Sequence, residues 1–251
     1  MDLNNQHILV TGASKGIGFA IADYLLKEGA KVVVHYHTGK EAADSLVSAY
    51  GNKRAKALRA DLEKPEEVTT LFKNTLKFLG QLHSVVLNAG VFLPHTTNQS
   101  TPDWFATWKR TLAINLDSVG LMTKLTIDHF KEAGGGRFVY IGSRAAFRGE
   151  TEEYLGYAAS KGGLTSLARS VARSFGKQNI KALVIAPGFT KTAMAEEFIK
   201  VHGEAKVLSE LSLNQLTTVQ DIAPLVGFIC TGAMDHATGT TIDVNAGSYI
   251  H

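Results

Sequence analysis

The residues Ile8-Leu9-Val10-Thr11-Gly12-Ala13-Ser14-Lys15-Gly16-Ile17-Gly18 carry a short apolar run into a glycine-rich turn, and the helical stretch Phe19 to Lys27 follows without a break. Each glycine has its own physical task. Gly12 permits the tight turn, Gly16 lets the backbone approach an anion closely, and Gly18 lets the helix pack hard against the strand. The first N–H groups of a helix have no intrahelical partner, so the turn reads as a seat for a pyrophosphate. A strand before it and a helix after it separate this reading from an ordinary glycine turn.

The same alternation continues to the end of the chain. Apolar runs suited to strands occur at Ile8 to Val10, Val32 to Val34, Ala57 to Leu58, Val85 to Leu87, Phe138 to Ile141, Leu183 to Ile185 and Thr241 to Val244. Helical spacing lies between them near Gly18 to Lys27, Glu41 to Tyr50, Glu66 to Leu79, Trp104 to Glu132, Leu155 to Phe175 and Ile222 to Cys230. Strand and helix in succession predict an α/β fold, a doubly wound parallel sheet of about seven strands with helices on both faces.

The 251 residues are 45% hydrophobic and 20% charged, a globular composition that argues against a disordered chain. The five prolines and the dispersed glycines mark no linker, so one domain spanning residues 1–251 is expected. A net charge of +3 is too small to imply a nucleic acid or an anionic membrane as partner. The cluster Lys53, Arg54, Lys56 and Arg59 reads as a solvated face. The lone Cys230, the absence of a secretory leader and the lack of an apolar run of membrane length together predict a cytoplasmic protein. Without such a leader, Asn98-Gln99-Ser100 is not expected to be glycosylated. The segment from Thr190 to Leu216 lacks a strand-like run and is read either as a substrate lid or as two surface helices.

Further chemistry sits at the ends of the strands, where open α/β sheets bind ligands. The end of the second strand, Val34-His35-Tyr36-His37-Thr38, has no acid to hold the free ribose hydroxyls of NAD. Lys15, His37 and Thr38 are instead placed for a 2′-phosphate, which favours NADP(H) over NAD(H). His35 and His37 share a strand face but lack a third ligand, so no metal is expected. Asp61-Leu62 follows the third strand, Asn88-Ala89-Gly90 the fourth and Pro187-Gly188-Phe189-Thr190-Lys191-Thr192 the sixth. Tyr157 and Lys161 are four residues apart, which puts phenol and ammonium on one helix face, where the cation favours the phenolate. Ser143 ends the fifth strand, where its hydroxyl can donate to a carbonyl oxygen. Asn115 is an amide in an apolar helical setting and needs a partner.

Thr11-Gly12-x-x-x-Gly16-x-Gly18, Asn88-Ala89-Gly90, Ser143 and Tyr157-x-x-x-Lys161 in this order resemble the short-chain dehydrogenase/reductase superfamily, whose fold is Rossmann-type. The pattern from Ile8 to Gly247, with Ile141-Gly142-Ser143 and Pro187-Gly188-Phe189, is most similar to that of the 3-oxoacyl carrier-protein reductases. The resemblance implies hydride transfer between a nicotinamide and a carbonyl or secondary alcohol. Tyr157 would then be general acid/base, Ser143 would orient the oxygen, Lys161 would assist the phenol and hold the ribose, and Asn115 would bind a water that connects to Lys161.

It also implies that Asp61 and Leu62 border the adenine and that Asn88, Ala89 and Gly90 shape the adenosine side. Pro187, Gly188, Phe189 and Thr192 would seat the carboxamide, while the pyrophosphate would rest on Gly12, Ser14, Lys15, Gly16, Ile17 and Gly18. A homotetramer or homodimer is implied, paired through Trp104 to Glu132 and Leu155 to Phe175. Gln178 stands where those reductases often place a basic residue for their acidic carrier protein, and Lys131 and Arg148 are the candidate replacements. Other readings remain open: an alcohol dehydrogenase on sugars or hydroxylated lipids, a non-catalytic NADP-binding protein, and an enoyl reductase using Tyr154, two turns before Lys161.

Overall fold

The computed structural model describes residues 1–192 and 203–250, without the side chains of Glu204 and Lys206. Seven parallel strands form one sheet in the order β3-β2-β1-β4-β5-β6-β7. They are β1 (His7–Val10), β2 (Lys31–Tyr36), β3 (Ala55–Arg59), β4 (Ser84–Leu87), β5 (Gly136–Ile141), β6 (Ile180–Pro187) and β7 (Thr241–Val244). The order reverses between β1 and β4, and that reversal opens a crevice at their carboxyl ends.

Successive strand side chains point to opposite faces, and here both faces are covered, so the strands are apolar without alternation. Ile8 and Val10 face α1 (Gly16–Lys27), α2 (Lys40–Tyr50) and the late helix Val219–Cys230, in a core that includes Ile21, Leu25, Leu46, Ile222 and Val226. Leu9 faces the other way, into a core built from α3 (Pro65–Leu79), α5 (Ser118–Ala133) and α7 (Leu155–Phe175), which follows the short α6 (Ala145–Arg148), with Leu71, Met122, Phe138 and Leu164.

All seven predicted strands are present, but the helix expected at Trp104 to Glu132 is interrupted. It divides into α4 (Thr101–Leu112), a π-helical turn at Ala113–Asp117 and α5. The Ser118 amide reaches back five residues to the Ala113 carbonyl, and the extra residue turns Asn115 fully into the interior. No proline or glycine marks this break in the sequence.

The segment from Thr190 to Leu216, read as a lid or as two surface helices, is described only in part, since residues 193–202 lie outside the described residues. Its two ends are joined, because Thr190 pairs with Thr217 and the Lys191 amide donates to the Thr217 carbonyl at 2.8 Å. The short helix α8 (Glu204–Ser209) lies within it. Among the described residues no helix is long and apolar enough to cross a membrane.

Candidate active site

The glycine turn is held from three sides. Thr11 Oγ1 accepts from the amides of Asn88 and Ala89 at 3.0 and 3.1 Å and contacts the Val86 carbonyl at 3.3 Å. Asn88 Nδ2 donates back to the carbonyls of Thr11 and Gly12 at 2.9 and 3.1 Å, so its side chain braces the turn. Ser14 Oγ donates to the Thr38 carbonyl at 2.9 Å and ties the turn to the end of β2.

His35 supplies the third brace. Its Nδ1 accepts the Gly12 amide at 3.0 Å and its Nε2 donates to the Ala60 carbonyl at 3.1 Å, which defines a neutral imidazole with the proton on Nε2. Burial pulls its pKa from 6.5 down to about 4. The unfolded chain therefore binds the proton more readily than the native chain between these values. The stabilisation is complete above pH 6.5 and is lost as the pH falls toward 4, by an amount on the order of 3 kcal/mol. Burial also lowers His83 and His129, which adds in the same direction. Urea unfolding at pH 7 and at pH 4.5 is expected to show this loss, and His35→Gln to flatten part of it.

Gly12 and Gly16 have φ of +65° and +52°, the left-handed region in which glycine is free and a side chain is strained. Gly18 is constrained by space, since a Cβ there would lie 2.3 Å from both Asn88 Nδ2 and the Gly12 carbonyl oxygen. No side chain caps α1 and no acid occupies its first turn, so its amino terminus suits an anion. Across from it, Thr192 Cγ2 lies 3.5 Å from where a Gly16 Cβ would stand, which brings the turn after β6 to the turn after β1.

The other predicted residues gather at the same sheet edge. Ser143 follows β5, its Oγ accepts the Ala145 amide at 3.1 Å, and it hydrogen-bonds Tyr157, which lies in the first turn of α7. Lys161, one turn further along α7, is buried and donates from Nζ to the Ile141 carbonyl at 2.8 Å, with its ammonium 5.8 Å from the centroid of the Tyr157 ring.

The expected lowering of the phenol pKa does not occur in the chain by itself. Desolvation is the larger effect and pushes Tyr157 up to about 12, against the Ser143 hydrogen bond, while Lys161 is brought down to about 8 by its own burial.

Asn115, the amide expected to need a partner, finds three hydrogen bonds in the interior. Its Oδ1 accepts the Val91 amide at 2.8 Å, and its Nδ2 donates to the Val91 carbonyl at 2.9 Å and to Ser160 Oγ at 3.1 Å. The carboxamide positions the loop after β4 and makes no direct hydrogen bond to Lys161. Gly90 lies between the two, with a Cβ there 3.3 Å from Asn115 Oδ1 and 3.6 Å from Lys161 Nζ.

Tyr154 stacks on Phe92 at 3.7 Å between centroids, and Tyr157 meets the same ring edge-on at 4.7 Å. Asp61 Oδ1 accepts the Glu63 amide at 3.1 Å, and Oδ2 lies 3.9 Å from His37 and 3.8 Å from Lys64. Leu62, Ala89, Thr11 and Met122 line a small cavity under the β1–β4 crevice. Gly188 donates to the Val244 carbonyl at 3.0 Å, and Asn245 packs against it so closely that a Cβ would come within 2.6 Å.

Sequence reasoning missed His95, which is fully buried and whose Nε2 accepts the Gly156 amide at 3.2 Å, immediately before Tyr157. It also missed the buried Arg144 next to Ser143. Nothing in the local pattern around either residue signals it.

A braced, glycine-lined helix terminus opposite a Ser–Tyr–Lys set defines the arrangement of an α/β oxidoreductase that works with a dinucleotide. The chain belongs to the short chain dehydrogenase family, whose model matches residues 6–202. It is 33% identical over 252 residues to the 3-oxoacyl-(acyl-carrier-protein) reductase FabG of Pseudomonas aeruginosa, covering 100% of both chains. It is 30% identical over 261 residues to versicolorin reductase stcU of Emericella nidulans, covering 98% of this chain and 97% of that one.

Among solved structures it matches a 7α-hydroxysteroid dehydrogenase complexed with NADH and 7-oxo glycochenodeoxycholic acid, with TM-score 0.90, 29% identity and coverage of 98% and 95%. It also matches a short chain dehydrogenase from Burkholderia cenocepacia in complex with NADP, with TM-score 0.87, 29% identity and coverage of 99% of each chain. The chain is thus a hydride-transferring oxidoreductase of this family.

Proposed function

We propose that this chain is an NADP(H)-dependent carbonyl reductase that uses Tyr157 as its general acid/base. The observation that carries the reading is the convergence of Ser143, Tyr157 and Lys161 on the sheet edge that also holds the Gly12–Gly18 turn. Bound at this edge, a nicotinamide nucleotide supplies or takes up the hydride.

The bare backbone of Gly12 and Gly16 and the uncapped start of α1, with Ser14, Ile17 and Gly18, suit a pyrophosphate. Lys15, His37 and Thr38 are exposed and would meet a 2′-phosphate there. Asp61, already engaged by the Glu63 amide and flanked by His37 and Lys64, borders the adenine side with Leu62, Asn88, Ala89 and Gly90. Pro187, Gly188, Phe189 and Thr192 hold the carboxamide end.

Ser143 orients the substrate oxygen, and Tyr157 donates its proton as negative charge develops there. A phenol raised by burial keeps its proton at neutral pH, as an acid for reduction must. Lys161, held by the Ile141 carbonyl, keeps further N–H groups for the ribose and the phenolate left after transfer. Stacking on Phe92 occupies the Tyr154 ring and argues against the enoyl-reductase register.

NADPH oxidation over a panel of ketones with a 3-oxoacyl thioester and an enoyl thioester tests the reading. Ketone turnover is expected, and enoyl reduction without ketone reduction would overturn it. Lys15→Glu is expected to raise the KM for NADPH at least about ten-fold more than that for NADH, by replacing attraction to the 2′-phosphate with repulsion.

A further inference from the structure

We propose that Arg144 determines specificity at this site by taking the carboxylate of an oxo-acid substrate. The inference rests on the carbonyl-reductase reading and names its substrate class. Arg144 directly follows Ser143, is only 3% exposed, and its Nη1 is buried without a hydrogen-bond partner among the described residues. The guanidinium lies over the Phe189 ring at 4.8 Å, which fixes its plane. Among the described residues its side chain donates to Glu210 Oε2, 3.3 Å from Nη2, and Arg148 Nη1 approaches the same oxygen at 3.3 Å.

One carboxylate oxygen therefore serves two cations, and both contacts are longer than a strong charge-assisted bond of about 2.8 Å. The second acid of the cluster, Glu150, stands 3.8 Å from Arg148, and burial pushes its carboxyl up against the opposing pull of Arg148 and Arg144. Arg144 Nη1 is left without an acceptor among the described residues, and a buried guanidinium with a donor left over is costly unless something completes it. A small carboxylate does so, because its two oxygens match the guanidinium fork.

Glu210 is the residue to be displaced. It is 40% exposed and follows α8 in the segment between Thr190 and Thr217. Arg144 adjoins the acid through the chain itself, since it directly follows Ser143, which hydrogen-bonds Tyr157, and its amide donates to the Pro187 carbonyl at 3.1 Å.

The test compares kcat/KM with NADPH for 2-, 3- and 4-oxo monocarboxylates and for their methyl esters, with calorimetric binding of the same acids. The wild type is expected to prefer at least one acid over its ester by about ten- to one-hundred-fold, as a hydrogen-bonded charge contributes. Arg144→Gln is expected to collapse that ratio, and Glu210→Gln to tighten acid binding by removing its internal competitor.

An acid-to-ester ratio near one in the wild type, or an equal fall for acid and ester in Arg144→Gln, would overturn the proposal in favour of a purely structural tether. If Arg144→Gln does not fold, Glu210→Gln decides, since unchanged or weaker acid binding counts against a seat at Arg144. If no ketone turns over, the reductase reading fails, whereas acid binding that Glu210→Gln strengthens still assigns the anion seat.

Discussion

Tyr157→Phe is expected to lower kcat by at least about a hundred-fold while leaving NADPH affinity within a few-fold of wild type. The substitution removes one hydroxyl and keeps the ring that packs edge-on against Phe92 at 4.7 Å, so the start of α7 should remain in place. What disappears is the proton source next to Ser143, and positioned general acid catalysis contributes roughly 10²- to 10⁴-fold. Single-turnover NADPH oxidation and calorimetric NADPH titration separate the two effects. Substantial residual turnover would transfer the acid role to another group, and lost binding would mean the phenol has a structural task.

Gly18→Ala is expected to destabilise the fold by about 3 kcal/mol and to abolish nucleotide binding. A Cβ at this position falls 2.3 Å from Asn88 Nδ2 and 2.3 Å from the Gly12 carbonyl oxygen, and neither is the free end of a flexible side chain. Overpacking of this kind commonly costs about 1–3 kcal/mol, and here it also threatens the hydrogen bonds from Asn88 to Thr11 and Gly12. Urea unfolding measures the first effect and NADPH titration the second. A variant that unfolds like wild type and binds NADPH normally would show that helix and strand can separate without consequence for the turn.

Much of the fold was legible because its signals are local. Apolar runs such as Ile8 to Val10 and Phe138 to Ile141, spaced by helical stretches, require a parallel sheet covered on both sides, and the structure has that sheet. The pairing of Tyr157 with Lys161 needs only one helical turn, and the glycines of the first turn announce their own conformational demands.

The π turn at Ala113–Asp117 was not legible, because its cause lies outside the helix. Asn115 must face inward to bond Val91 and Ser160, which are 24 and 45 residues away. The bracing of the glycine turn by Asn88 was hidden for the same reason, since Thr11 and Asn88 are 77 residues apart.

By itself, the sequence determined the α/β class, the strand count, the glycine turn and the order of Ser143, Tyr157 and Lys161, because each depends on periodicity or on residue type at a strand end. Only the tertiary structure decided how these groups are charged and held. The raised phenol of Tyr157, the lowered ammonium of Lys161 and the neutral imidazole of His35 all follow from burial, which no window of sequence contains. The half-satisfied guanidinium of Arg144 follows from a carboxylate 66 residues away, brought to it by the closed excursion between Thr190 and Thr217. Spacing along the chain sets which residues can meet on one face, but desolvation and long-range contacts set what those residues can then do.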